Sequence, residues 1–194
     1  MLLLILILIM ILIIILNYYF DYSLKEGFKN NIVFLDKQDV IDILINDEDK
    51  YYSRFYYNDF KVRNIKNINE YRKIIINSAI DLDDHEKEKI RVLINEIKNK
   101  VKDIKFEYFN GSKFNNLSWK IGVLKGNDYE GGLPHTRSDT IILNTEQIKY
   151  YSSTKLKKTL LHEQVHIYQK KYEEDVKKYL EKNGFKKVKK RNKF

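Results

Sequence analysis

The chain of 194 residues contains no cysteine, and this absence excludes three classes of function at once. Without thiols there is no disulfide framework, no cysteine-based zinc structure and no thiol catalysis. Proline is almost as scarce, since the single Pro134 lies in a loop with Gly126, Gly131 and Gly132. Histidine occurs only four times, so a motif that uses two histidines four residues apart has little chance of arising at random.

Side-chain charge is absent from the first twenty residues, where an apolar run from Leu2 to Leu16 precedes Tyr18, Tyr19 and Phe20. With these aromatic residues included, the segment just reaches the roughly 17–25 residues of a membrane-spanning helix. A cleavable signal peptide would need a basic start and a small-residue cleavage site, and residues 14–26 hold no Ala or Gly. A buried core element is the third alternative. The pattern predicts a single-pass membrane protein, with the side of the membrane left open.

Positive charge is in excess, with a formal net charge of +9 and a basic tail at residues 186–194. Such an excess is found in proteins that bind nucleic acid or anionic membranes. The lysines are spread along the chain, however, and an aromatic patch at residues 51–60 is more typical of half-buried packing than of base stacking. We therefore favour a compositional bias with a solvated tail, and we do not expect nucleic acid as a partner.

The chain divides into a membrane anchor or uncleaved signal at 1–20, an N-terminal packing region at 21–79, a core at 80–185 and a basic tail at 186–194. Within the core, apolar residues three and four apart predict an amphipathic helix from Asp83 or Asp84 to Ile104. Strand patterns follow at 104–109, 118–124 and 139–144, with the glycine-containing loop before the last. This order predicts an α+β fold.

Residues 160–169 read LLHEQVHIYQ and lie in a predicted helix that Ser152, Ser153 or Thr154 can cap. At 100° per residue the helix has two apolar stripes, formed by Leu161, Val165, Tyr168 and Tyr172 and by Leu156, Leu160 and Ile167. The polar side between them holds Thr159, His162, Glu163, His166 and Gln169. A helix that is apolar on two sides is central to its domain, so its polar side is the predicted functional surface.

Two histidines at positions i and i+4 can direct their imidazole nitrogens at one point, about 2.0–2.1 Å from each, as tetrahedral zinc requires. Glu163 projects beside that point, where it can accept a proton from a zinc-bound water and deliver it to a leaving amine. Without a metal, a buried histidine pair beside a carboxylate would leave costly polar groups unsatisfied. We therefore predict Zn²⁺ at His162 and His166, with Glu163 as the catalytic residue.

Residues 80–172 resemble the minimal core of zincin metallopeptidases. That core consists of a helix, a small sheet and an HExxH helix that directly follows the last short strand of the sheet. The resemblance implies a zincin-like core and a peptide or protein substrate. It also implies that the strand before the active-site helix is the sheet edge that pairs with extended substrate, at Thr140, Ile141, Ile142 and Leu143. The stretch GLPHTRSDTIILN, followed by the HEQVH helix, is similar to uncharacterised zincin-like proteins of large DNA viruses.

The motif does not define the third metal ligand. Tyr172 stands where the metzincin pattern requires a histidine, which excludes that subgroup. His135 is one candidate, Glu174 or Glu181 is another if the chain turns back after Tyr172, and a site with no third protein ligand is the remaining alternative. Glu173 shares the side of the histidines but lies about 10 Å further along a straight helix.

Four other side chains are candidates for supporting roles at the site. Arg137 could contact substrate, or it could be an ordinary loop charge. Tyr168 and Tyr172 could hydrogen-bond to the oxyanion, a role that would also suit His135 if it is not a ligand. Gln169, one turn after the second histidine, is expected to hydrogen-bond to the site.

The sequence as a whole favours an α+β protein in which an N-terminal transmembrane helix is followed by a minimal zincin-like domain that hydrolyses peptide bonds. The alternative is a catalytically inactive zincin-like module, tethered to the membrane, that binds without turnover. A third interpretation is a basic binder of membrane surfaces or nucleic acid that uses residues 51–60 and the tail.

Overall fold

The fold is α+β, as predicted, in a computed structural model that describes residues 31–186. The described helices are α1 (Lys37–Asn46), α2 (Tyr57–Val62), α3 (Ile68–Ser78), α4 (Asp84–Val101), α5 (Gly111–Asn115), α6 (Thr145–Tyr150), α7 (Ser153–Lys171) and α8 (Glu173–Lys182). The described strands are β1 (Ile32–Phe34), β2 (Ala79–Ile80), β3 (Lys105–Phe106), β4 (Phe109–Asn110), β5 (Trp119–Leu124), β6 (His135–Arg137) and β7 (Thr140–Asn144). Contacts divide the chain into residues 1–32 and 33–194, and the candidate site lies in the second unit.

Five of the described strands form the main sheet, in the order β1, β5, β7, β6, with β2 also paired to β5. Strands β5 and β7 are parallel, with Lys120 opposite Thr140. Strand β6 runs antiparallel to β7, with Thr136 opposite Ile141. All five residues of β7 are buried, as expected for a strand that has neighbours on both sides and is covered on both faces.

The edge of this sheet differs from the one predicted from the sequence. Thr140, Ile141, Ile142 and Leu143 lie in β7, between β5 and β6, so their strand is interior and has no free side for a further strand. A turn after β6, where Ser138 has a φ of 49°, folds the preceding HTR segment back along β7. The edge strand next to β7 is therefore β6, a segment that the sequence pattern predicted to be part of a loop.

The two faces of the sheet are covered by different helices. Helices α1 and α3 pack on one face through Val40 and Tyr71, in a cluster that includes Ile142 of β7. A Cβ at Gly122 would lie 2.8 Å from Val40 Cγ2, so glycine in β5 allows this close approach of α1. Helix α7 lies on the other face, because side chains alternate along a strand and Thr136, opposite Ile141, contacts α7.

The aromatic patch at residues 51–60 contributes to the core, as the packing interpretation predicts. Tyr52 is buried, and its ring lies 5.6 Å from that of Tyr71. Phe55 lies 5.3 Å from the same tyrosine ring, and the Arg63 guanidinium is 4.2 Å from the centre of the Phe55 ring. Arg63 also donates to Glu130, which joins this region to the loop before β6.

The predicted transmembrane helix and single-pass membrane location are corrected by the structure. No helix among residues 31–186 is both long enough and apolar enough to cross a lipid bilayer. The longest described helix, α7, has 19 residues but carries Lys155, Lys157 and Lys158 in its first two turns. The predicted anchor itself, residues 1–20, lies outside the described residues.

Candidate metal centre

Helix α7 presents the HEQVH motif at the wall of a cleft. Its N-terminus is capped by Ser152, whose side chain accepts from Lys155 N, and Leu156 and Leu160 are fully buried. With one side fixed in the core, the opposite side faces a cleft of about 690 Å³. The cleft is lined by Pro134, His135, Thr136, His162, Glu163, His166, Gln169, Lys170 and Glu173.

The imidazoles of His162 and His166 converge. Their Nε2 atoms are 3.1 Å apart, and the ring planes are perpendicular with centroids 4.7 Å apart. Two nitrogen ligands at about 2.0–2.1 Å from a tetrahedral zinc would be separated by about 3.3–3.4 Å. The histidine pair therefore has almost the spacing that zinc requires, as the motif predicts.

A hydrogen bond to Gln169 orients the second histidine. Its Oε1 lies 3.3 Å from His166 Nδ1, an arrangement in which the imidazole Nδ1–H donates to the amide oxygen. That tautomer places the free lone pair on Nε2, the atom that faces His162. Gln169 thus has the supporting role expected from the sequence, which is the usual role of a residue behind a metal-binding histidine.

Glu163 is buried, with 4% of its surface exposed, although both flanking histidines of the motif are exposed. Its carboxylate and the two imidazoles offer ligand atoms within 4.8 Å of one another, the one such group among the described residues. Its Oε2 atom accepts a hydrogen bond of 2.9 Å from Thr136 Oγ1. The role of Thr136 could not be predicted from the sequence, because a three-residue strand gives no periodic signal that would show which way its middle side chain points.

His135 lies at the start of β6 with its ring close to that of Tyr129, at 5.2 Å between centroids. Its register partner is Ile142, which belongs to the cluster on the α1 and α3 face. The Nδ1 atom is 3.0 Å from Leu133 O, and the buried Nε2 atom has no hydrogen-bond partner among the described residues. Burial lowers the pKa of His135, which keeps the imidazole neutral.

Arg137 is buried in an ion-pair network and does not line the cleft. It is 2% exposed, and its Nη2 atom lies 2.8 Å from both Asp47 Oδ1 and Asp49 Oδ1. Its Nη1 atom donates to Tyr129 OH at 3.1 Å. The side chain holds β6 against the segment that follows α1, so the contact with substrate predicted for it has no geometric basis in the described structure.

Tyr168 and Tyr172 lie on another side of α7 from the histidines. Tyr168 is 3% exposed, packs against Phe109, and accepts a hydrogen bond of 3.1 Å from Asn110 N. The ring of Tyr172 lies 4.7 Å from that of Tyr168. Neither tyrosine lines the cleft, so the structure gives no support for the predicted oxyanion role.

The helix that carries the motif breaks at Tyr172, where φ is −118° and ψ is 45°. Helix α8 then begins at Glu173, which lines the cleft together with the two histidines. A straight helix was predicted here because neither Gly nor Pro marks the break, and on a straight helix Glu173 would be out of reach of the metal. Three consecutive acidic residues at 173–175 were the available signal, because acidic side chains favour the first turn of a helix.

Comparison with known proteins agrees with the site. Residues 97–191, just under half of the chain, match the SprT-like family. That family is related to zincin-like metallopeptidases and typically binds zinc. The matched region includes β5, β6, β7 and the HEQVH helix, so this part of the chain is similar to that family. No curated protein and no solved structure is a significant match, and the likeness to viral proteins stays a prediction.

Proposed function

We propose that this protein is a zinc-dependent peptidase in which Glu163 is the general base. The observation that carries the proposal is the group on α7, in which two histidine Nε2 atoms 3.1 Å apart lie beside a buried carboxylate. The SprT-like match supports the same reading. A buried carboxylate next to two converging imidazoles has no evident packing function, and burial of such groups is costly without a compensating role.

The donor atoms fit zinc. His162 and His166 would hold the ion through Nε2, and Gln169 keeps the second imidazole in the required tautomer. When bound, zinc lowers the pKa of a water ligand toward neutrality and polarises a substrate carbonyl. The chain itself must then remove a proton from the attacking water and return it to the leaving amine.

Glu163 is the described side chain best placed for both proton transfers. Its Oε2 atom is engaged by Thr136, which leaves Oε1 to accept the proton of the attacking water. The same carboxyl group can deliver that proton to the nitrogen of the broken peptide bond. Because the carboxylate is held before substrate arrives, little reorganisation accompanies the reaction.

Strand β6 is the surface on which we place the substrate. Because β7 is interior, the extended peptide is proposed to pair with His135–Arg137 instead of Thr140–Leu143. An edge strand offers unpaired N–H and C=O groups, and β6 lies directly beside the HEQVH helix. Main-chain pairing of this kind binds peptides largely irrespective of side chains, so the proposal names a substrate class and no cleavage sequence.

Two side chains that line the cleft are candidates for the third protein ligand, His135 and Glu173. The alternation of β6 places His135 on the Tyr129 side of the sheet, whereas Thr136 is the residue that points at α7. Glu173 follows the helix break on the same chain segment as the histidines, and its side chain is exposed. We therefore favour Glu173.

Substitutions of the two candidate third ligands should affect zinc affinity differently. Glu173→Gln should lower the affinity by at least the roughly 10–100-fold that loss of an outer-shell partner costs, while His135→Ala should change it little. Competition with a chromogenic chelator measures both. Glu174→Gln is the matched control: the sequence made Glu174 a candidate ligand, but in the structure it does not line the cleft and its carboxylate lies 3.8 Å from Lys177. A loss confined to His135→Ala would assign the third position to His135.

A smaller effect is expected at the orienting glutamine. Gln169→Leu keeps the size of the side chain but removes the acceptor for His166 Nδ1, so zinc affinity should fall about tenfold. Gln38→Leu, on the exposed side of α1, is the control. Isothermal titration with Zn²⁺ at fixed pH compares the variants, and an unchanged affinity for Gln169→Leu would show that the hydrogen bond does not orient the ligand.

The proposed function is tested on the full chain, loaded with one equivalent of Zn²⁺ and incubated with fluorescein-labelled casein and with a mixed peptide library. Cleavage that stops on chelation and returns with added zinc supports the peptidase. Stoichiometric zinc without cleavage supports the alternative of an inactive SprT-like binding module. Failure to bind zinc overturns the proposal.

A further inference from the structure

The hydroxyl group of Thr136 connects the sheet edge to the motif helix. Its Oγ1 atom lies 2.9 Å from Glu163 Oε2 and 3.1 Å from the Glu163 carbonyl oxygen. A hydroxyl group has one proton and can donate to one acceptor at a time. The charged carboxylate is the stronger acceptor, so the contact is chiefly one between the two side chains.

The carboxylate of Glu163 depends on this donor. Glu163 as a whole is only 4% exposed, so its carboxylate has little bulk water around it, and its oxygens need hydrogen bonds from the protein or from water in the cleft. Thr136 supplies that bond to Oε2. With Oε2 held, rotation of the carboxylate about its last torsion is restricted, and Oε1 stays available for water.

The position of Thr136 is itself fixed from the other face of the strand. Its neighbour Arg137 points away from α7 and is held at 2.8 Å by both Asp47 and Asp49. Its other neighbour, His135, lies against Tyr129. Strand β6 therefore cannot slide along α7 without breaking a buried ion pair, and the hydroxyl group remains opposite Glu163.

From these contacts we infer that Thr136 is the positioning residue for the general base, so that the strand proposed to receive the peptide also sets the orientation of Glu163. The inference rests on the proposed function and deepens it. Peptide binding and proton transfer then both depend on one residue of β6. The backbone of Thr136 is part of the sheet edge that is proposed to bind the peptide, and its side chain donates a hydrogen bond to Glu163.

The test uses two substitutions that differ in the hydroxyl group. Thr136→Val keeps the β-branched shape that suits a strand but lacks the donor, whereas Thr136→Ser keeps the donor. On zinc-loaded full-length protein with labelled casein, kcat of Thr136→Val should fall roughly 10–100-fold with KM unchanged. Thr136→Ser should retain most of the activity, and all three proteins should bind zinc with the same affinity.

Dependence on Glu163 is tested in a Glu163→Gln background. If Thr136 acts through the base, adding Thr136→Val to Glu163→Gln should lower the residual rate little further. Wild-type kcat in Thr136→Val, equal losses in the Val and Ser variants, or a full additional loss in the double variant would each overturn the inference.

A measurement without turnover separates this inference from the proposed function. In metal-free protein, Thr136→Val should shift the urea midpoint of unfolding downward, and the shift should be clearly smaller in a Glu163→Ala background because the partner is already gone. Equal shifts in both backgrounds would show that the contact does not form. If the contact is present but wild-type protein cleaves nothing, the proposed peptidase function fails while the Thr136–Glu163 contact stands.

Discussion

Replacing Glu163 by Gln should remove almost all hydrolysis, with a small residual rate, and leave zinc binding intact. Glutamine has nearly the same shape and can still accept from Thr136, but its amide cannot take a proton from water at neutral pH. Loss of a general base typically lowers the rate by about 10²–10⁴-fold, and Glu163 is proposed to act in both proton transfers, so we expect the upper part of this range. Initial rates on labelled casein test the loss of hydrolysis, and the zinc content of the same preparation tests the retention of zinc.

The control is Glu88→Gln, which removes an exposed carboxylate of α4 that pairs with Arg91 and does not line the cleft. It should match the wild-type protein in both measurements. Full activity in Glu163→Gln with zinc bound would remove the proposed mechanism. Loss of zinc in the same variant would instead assign the carboxylate to the metal, and would leave the general base to be found elsewhere.

Substituting Arg137 by Met should strongly destabilise the fold. The long apolar side chain fills similar space but leaves Asp47, which is 8% exposed, as a buried carboxylate without its guanidinium partner. Breaking a buried ion pair by removing one partner costs about 3–5 kcal/mol. The substitution also removes the hydrogen bonds from Arg137 to Asp49 and Tyr129. Strand β6 would then lose its attachment both to the segment after α1 and to the loop before β6.

Urea denaturation of the metal-free protein measures the free energy of unfolding, with a two-state fit. Lys113→Met is the matched control, since it breaks the exposed ion pair with Asp175 and should change stability by no more than about 1 kcal/mol. Equal effects of the two substitutions would mean that the Arg137 network contributes little to the fold.

Local patterns predicted the elements that carry the site. Asp83 caps α4 through Glu86 N, as its place before the apolar periodicity indicates, and Ser152 caps α7 in the same way. Strand β5 and strand β7 follow the apolar runs at 118–124 and 139–144. The segment at 104–109 behaves differently, because it forms only the two-residue strands β3 and β4 around a turn. For each of these correctly predicted caps and strands, the sequence pattern lies within a few neighbouring residues.

The roles of polar residues in the loop before β7 could not be read in this way. Arg137 and Thr136 are adjacent, yet Arg137 is buried in an ion-pair network and Thr136 donates a hydrogen bond to Glu163. Their separation depends on β6 pairing with β7, and on Asp47 and Asp49, about ninety residues earlier in the chain, meeting the strand. Long-range partners leave no trace in local periodicity.

The sequence alone determined the side-chain cluster on which the proposed chemistry rests: an i, i+4 histidine pair with an intervening acid on a helix that is buried on its other sides. Helical spacing places those three side chains together whatever surrounds them, and Gln169 follows from the same geometry. Only the tertiary structure decided which strand is the sheet edge and which hydroxyl group contacts Glu163. It also decided that the helix breaks at Tyr172, which places Glu173 at the cleft. Those features depend on strand order and on packing between distant segments, which are properties of the folded chain and not of any short stretch of it.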